Sequence, residues 1–301
     1  MSRTSIGLSL AIVGLGSVAC VKGDYVDGVE VGIVTGTNTP MATGIAYPLR
    51  FYRSREVPTP KNTGVEKETV VLDSVDCSAP CRVTLTPDGS RTVASDSAGT
   101  FELHATGRGA STGEAYDLRE ALRFVGGVRV QLEAQEGLRL TGRRLAPGKL
   151  PHPMVRWVDG SGESVRAPHD DSTTLRSAAG SCTLANNVLT FGPAGKCVIE
   201  AGLAAPAELT VADVKDAVGL TVVQALKGSD YRCTANNVLL VGYVLADGSE
   251  VVGGAEHWAA STPGDATNGY VFSYFFPDAG GELRAERGSF RQSVQVRDCT
   301  K

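Results

Sequence analysis

Thr100-Phe101-Glu102-Leu103-His104-Ala105 alternates apolar and polar residues, so an extended backbone puts Phe101, Leu103 and Ala105 on one face and Glu102 and His104 on the other. That is a strand with one wet side. Short runs of this kind recur at Val29 to Val34, Val70 to Leu72, Arg82 to Thr86, Val128 to Leu132, Val155 to Val158 and Val188 to Phe191. They continue at Cys197 to Ala201, Leu220 to Ala225, Val238 to Leu245, Tyr270 to Phe276 and Ser293 to Val296. Gly, Asn, Asp and Pro cut the runs apart, which favours antiparallel sandwiches over units built on crossover helices. Asp-Gly-Ser stands between β-like flanks at Asp88-Gly89-Ser90, Asp159-Gly160-Ser161 and Asp247-Gly248-Ser249, where Gly supplies the positive φ of a hairpin turn. The expected fold is mainly β, with at most one or two short helices.

Two stretches invite the helical exception. Ser111 and Glu114 have the spacing of a capping box, and Ala115, Leu118, Leu122 and Val125 then share a helical face, so the pattern predicts a short helix from Ser111 to Val125. Thr210 to Gly219 reads as a helical linker, with Leu209 and Val211 equally suited to a closing strand.

The chain has 301 residues, more than one hydrophobic core usually organises, so several domains are expected. Gly 36 and Pro 14 together stay well below the roughly 25–30% of low-complexity chains, and 42% hydrophobic residues support packed cores. With 29 Lys and Arg against 33 Asp and Glu, and no dense basic cluster, the chain lacks the phosphate-neutralising surface that nucleic acid requires. Turn placement and cysteine spacing divide the mature chain into sandwiches over 27–126, 127–213 and 214–301. Cys182-Thr183-Leu184-Ala185-Asn186-Asn187-Val188-Leu189 echoes Cys233-Thr234-Ala235-Asn236-Asn237-Val238-Leu239, which is either a duplicated module or the repeated use of Asn-Asn as turn chemistry.

The amino terminus reads MSRTSIGLSLAIVGLGSVAC: Arg3, then uncharged residues from Ile6 to Val18, then small residues before Cys20. This is a signal-peptide layout, too short to span a bilayer, with charge returning at Lys22 and Asp24. Ser17-Val18-Ala19-Cys20 resembles the lipobox of bacterial prolipoproteins, whose cysteine is lipidated on sulfur and becomes the first mature residue. Ser17 stands where these families usually carry Leu, so ordinary secretory cleavage is the alternative. The resemblance implies a signal peptide over 1–19, a lipidated tether over 20–26, and palmitate-type acylation at Cys20. Val21 in place of the Asp that retains many such proteins at the inner membrane implies the outer membrane.

Assigning Cys20 to lipid leaves six of the seven cysteines, an even set for an oxidising compartment. Fifteen pairings are open to six cysteines. Placement favours neighbours: Cys77 with Cys81, Cys182 with Cys197, and Cys233 with Cys299. The rival reading of Cys77-Ser-Ala-Pro-Cys81 as half a zinc site lacks a second closely spaced pair of ligands.

The second and third modules resemble the bacterial immunoglobulin-like domains of surface proteins. Trp157, before a hairpin turn, sits like the core tryptophan of such a sandwich, and Cys233 with Cys299 spans the last module. Trp157 lacks an upstream cysteine in its module, and Trp258 lies farther from Cys233 than in antibody-type domains. The resemblance therefore implies tandem immunoglobulin-like sandwiches and no particular ligand.

Catalytic chemistry is scarce. Gly109-Ala110-Ser111-Thr112-Gly113 matches the nucleophile-elbow pattern, but such an elbow follows a buried parallel strand, and the run before it alternates. Ser111 is expected to cap the short helix rather than attack a substrate. His152, His169 and His257 lie downstream without an aligning motif. His169-Asp170-Asp171 and Asp159-Gly160-Ser161-Gly162-Glu163 offer ligand atoms but fit no EF-hand calcium loop, so no metal is expected. His104 is read as an outward strand residue. Tyr270, Phe272, Tyr274 and Phe276 share one strand face, expected to be core rather than an exposed aromatic stripe. No dinucleotide or phosphate loop is present, and no cofactor is expected.

The resulting expectation is a non-catalytic, membrane-anchored envelope lipoprotein serving adhesion or scaffolding, with a protein or polysaccharide ligand. The alternatives are an exported serine hydrolase using Ser111 and an accessory subunit of an envelope assembly or transport complex.

Overall fold

A computed structural model describes residues 25–32, 34–35, 39–58, 63–167, 175–225, 236–260, 264–266, 269–275, 281–287 and 290–296. The chain is mainly β. The helical element among the described residues is one 3-10 turn, Ala255–His257.

In residues 25–125 the two longest strands change partners along their length. Tyr47–Pro58 pairs with Arg91–Ala94 through residues 47–49 and with Thr63–Cys77 through residues 52–58. Thr63–Cys77 then passes to Gly99–Gly109 through residues 70–77. Val26–Val31 lies on the other side of Tyr47–Pro58, and Ala115–Val125 pairs with Gly99–Gly109. Strands that switch partners in this way wrap the sheet round one interior. Val29, Val31, Leu103, Ala105, Val93 and Leu122 fill it. Tyr47 meets Phe124 edge-on at 6.5 Å, and Phe51 meets Tyr116 edge-on at 6.4 Å.

The stretch predicted as a helix from Ser111 is a strand, Ala115–Val125. Its buried residues are Tyr116, Leu118, Leu122 and Phe124, a period of two that the helical count passed over by using Ala115, which is exposed, and Val125, which is only partly buried. Likewise Thr210 to Gly219 is not helical: Ala207–Val211 and Ala217–Ala225 are strands joined by a turn in which Asp213 Oδ1 accepts from Lys215 N–H at 3.0 Å.

Residues 127–211 form a second block. Arg129–Gln135 pairs with Met154–Val158. Val188–Phe191 pairs with Gly148–Pro151 and Cys182–Ala185. Gly195–Ala201 lies between Leu175–Gly180 and Ala207–Val211. Trp157 is buried here, as a core tryptophan should be. Beyond it, Asn236–Leu245 pairs with Ala217–Ala225, Glu250–Val252 and Val271–Phe275, while Gly281–Arg287 lies between Trp258–Ala260 and Phe290–Val296. Tyr270 and Phe272 are buried, and so is Val271, so this strand is covered on both faces rather than one. The side chain of Tyr274, and Phe276 altogether, lie outside the described residues.

All three Asp-Gly-Ser turns connect strands as expected, and in each the aspartate accepts from the serine's N–H and O–H two residues on. The Asn-Asn echo has no common structure. Asn186 and Asn187 form a turn with φ of 50° and 58°, whereas Asn236 and Asn237 are extended inside a strand paired with Phe275 and Tyr274.

Candidate functional site

Val29 and Asp27 share one face of the first strand, with Tyr25 just ahead of it, and Phe51, Arg53 and Arg55 share a face of the long strand beside it. Each series begins in the apolar interior and ends in polar groups, so one end of the first block is closed by charge rather than by hydrocarbon. Asp27 lies opposite Arg53, and Arg53 opposite Glu68. The Arg53 guanidinium reaches Asp27 Oδ1 at 2.8 Å, Glu114 Oε2 at 3.0 Å and Glu68 Oε1 at 3.8 Å. The Tyr25 ring lies 4.9 Å from the Arg53 guanidinium and 4.4 Å from that of Arg55.

The Gly109–Gly113 segment folds over this end as the turn of an antiparallel hairpin. Ser111 is therefore neither a helix cap nor the apex of a strand-to-helix elbow. Its hydroxyl donates to Glu68 Oε2, which also accepts Ser111 N–H at 3.3 Å and Thr112 N–H at 3.2 Å. The Thr112 hydroxyl donates to the other oxygen at 2.8 Å. A Cβ at position 109 would come within 2.0 Å of Glu68 Oε1, so glycine is what lets the carboxylate enter the turn. Ser111 donating to it, followed by Thr112, holds the Glu68 carboxyl below its ordinary value, with burial opposing. A carboxylate held ionised this way is a poor acceptor for the proton of a serine nucleophile.

The described histidines are engaged elsewhere. His104 Nε2 is 3.0 Å from Asp117 Oδ1 on the outer sheet face, His152 Nδ1 is 2.9 Å from Asn187 Nδ2, and His257 Nε2 is 3.6 Å from Glu256 Oε1. His169, Asp170 and Asp171 lie outside the described residues, and among the described residues no group of three or more His, Cys, Asp and Glu is placed to hold a metal. Asp159, offered by its sequence as a cation ligand, spends Oδ1 on the backbone of Ser161 and Glu163 and on the Ser161 hydroxyl.

Cys77 is bonded to Cys81, and Cys182 to Cys197. The second bridge joins strand Cys182–Ala185 of one sheet to Gly195–Ala201 of another, so it staples two sheets. Cys20, Cys233 and Cys299 lie outside the described residues. Among the described residues no helix is long and apolar enough to cross a membrane. A cleft of about 370 Å³ lies where the first two blocks meet, walled by Ile45, Val128, Trp157 and the largely exposed Leu203.

Sequence reading missed Glu68 and Arg53, because both sit in charged alternating strands where an inward-facing ion looks like an outward one. It also missed Arg166, which is buried.

No family model and no curated protein matches the chain. Solved structures align to it at low similarity. Domains 5–6 of the S-layer protein SbsC align with 63% of this chain and all of theirs, at 14% identity and a TM-score of 0.24. The N-terminal four immunoglobulin domains of Dscam1 isoform 6.9 align with 89% of this chain and 77% of theirs, at 12% identity and a TM-score of 0.26. The eight-domain fragment of the Down syndrome cell adhesion molecule aligns with 92% of this chain at 8% identity and a TM-score of 0.17, and this chain spans about 55% of it.

Proposed function

We propose that this chain is a non-catalytic, lipid-anchored envelope protein, in which immunoglobulin-like modules over 27–126, 127–213 and 214–301 display loops for adhesion or scaffolding toward a protein or polysaccharide. The observation that carries the reading is the pairing of cysteines with near neighbours, Cys77 with Cys81 and Cys182 with Cys197. It fits an exported chain in an oxidising compartment, and a third bridge between Cys233 and Cys299, which the reading adds, leaves Cys20 as the odd thiol for acylation. The engagement of Ser111 by an ionised Glu68 supports a structural role for the one segment with a catalytic motif. One acyl chain holds a protein only marginally at a membrane, and lipoproteins of the resembled kind carry more than one.

Mass spectrometry of the mature amino terminus tests the anchor. The expected product begins at Cys20 and carries acyl mass, and Cys20→Ser releases the protein from the membrane fraction. A mature chain beginning elsewhere, with a free thiol at position 20, overturns the anchor and the outer-membrane address together.

A further inference from the structure

The joints between the three modules are built like interiors, not like linkers. At the first, Arg166 of the second module is buried against the first. Its N–H donates to Pro40 C=O at 2.7 Å, its guanidinium Nη1 donates to Val31 C=O, and its own C=O accepts the Tyr47 hydroxyl at 2.8 Å. Tyr47, wholly buried, accepts the Ala42 N–H at 2.7 Å on the same oxygen. Met41 and Arg166 form a parallel bridge, and Arg123 meets Glu163 across the same joint at 3.0 Å.

At the second joint a two-residue strand, Arg144–Leu145, pairs in parallel with Ala207–Val211 on one side and Glu250–Val252 on the other. One sheet thus runs through the cut at 213. Ala146 C=O accepts the buried Tyr270 hydroxyl at 2.8 Å, Ala146 N–H donates to Val252 C=O at 2.7 Å, and Tyr270 packs edge-on to Phe191 at 5.6 Å. One apolar cluster includes Val31 and Tyr47, then Trp157 and Leu145, then Val252 and Tyr270, while Leu220, Tyr243, Trp258 and Phe272 form a second cluster that Ala146 and Ala212 of the middle module also join.

Relative motion is the default for domains joined by small polar contacts. Here a hinge at either joint would withdraw buried hydroxyl, guanidinium and backbone groups from their partners inside an apolar setting. We propose that the modules form one rigid, cooperatively folded body, pinned between the first and second by Tyr47 and Arg166 and between the second and third by Arg144–Leu145. The inference takes its modules from the function proposed above but not the anchor, which amino-terminal mass spectrometry tests on its own.

Calorimetry of the full chain tests this. One transition is expected, with van't Hoff and calorimetric enthalpies in agreement. Tyr47→Phe, which keeps the ring and deletes the hydroxyl shared by Ala42 and Arg166, and Arg166→Met are expected to lower the ratio of van't Hoff to calorimetric enthalpy as the first module melts ahead of the rest. If Arg166→Met fails to fold, Tyr47→Phe alone decides the role of the pin. Separate transitions in the unaltered chain would overturn the single body, and a ratio unchanged in the folded variants would overturn the pin.

Discussion

Replacing Ser111 with alanine separates a structural serine from a nucleophile and also reads the size of the folding unit. Ser111 donates to a Glu68 carboxylate whose side chain is 6% exposed, so water cannot readily replace the lost donor. Hydrogen bonds to charged groups contribute about 1.5–3 kcal/mol. Three donors remain on Glu68, from Ser111 N–H, Thr112 N–H and the Thr112 hydroxyl, which places the cost near the lower end, at about 1.5 kcal/mol. At the usual unfolding entropy per residue, that loss lowers Tm by about 7 °C if the first module melts alone and by about 3 °C if the whole chain melts as one body. The smaller shift is expected. Differential scanning calorimetry measures it, with ester and peptide hydrolysis profiled on the same samples. An unchanged Tm would refute the argument that this hydroxyl stabilises the fold. An unchanged Tm with lost hydrolysis would make Ser111 the nucleophile after all.

Acid should act through the same carboxylates. Hydrogen bonds hold Glu68, Asp88, Asp159 and Asp247 below their ordinary values, the largest contributions coming from Ser111, Thr86, Ser161 and Ser249 respectively. Groups lowered in the folded state contribute stability that is complete above the unfolded value and lost as pH falls through the folded one. Tm is therefore expected to hold steady down to about pH 4.5 and then drop, with Glu68→Gln blunting the fall; a Tm that rises on acidification contradicts this. Changing Cys182 and Cys197 together to serine should cost about 3 kcal/mol, because the bridge closes a loop of 15 residues. Denaturant unfolding measures that cost, and a midpoint shared with the unaltered chain would show that the staple between sheets adds nothing.

The strands were legible wherever one face was wet. Thr100 to Ala105 and Val188 to Phe191 announce themselves because alternation and burial coincide there. Ala115–Val125 was misread because Leu118 and Leu122 satisfy a helical and a pleated spacing alike, and Tyr116 and Phe124, which break the tie, fall outside the helical count. The hairpin turns were legible because Asp-Gly-Ser carries its own local hydrogen bonds. Asn-Asn was not, since the same pair forms a turn at 186 and lies inside a strand at 236, according to what pairs beside it.

The charged plug and the joints were invisible for one shared reason. Burial of Arg53, Glu68 and Arg166 is fixed by partners 15 to 135 residues away, and nothing local distinguishes an inward arginine from a solvated one. The signals that divide the sequence into modules, turns and cysteine pairs, are local and mark where each hairpin closes. They do not mark where the sheets stop, and Arg144–Leu145, two residues with no pattern of their own, carry one sheet across the last boundary. Segmentation in sequence and segmentation in mechanics are therefore different properties of this chain. Buried joints of this kind resist hinging at Arg166 and at Arg144–Leu145, where modules on polar linkers would swing.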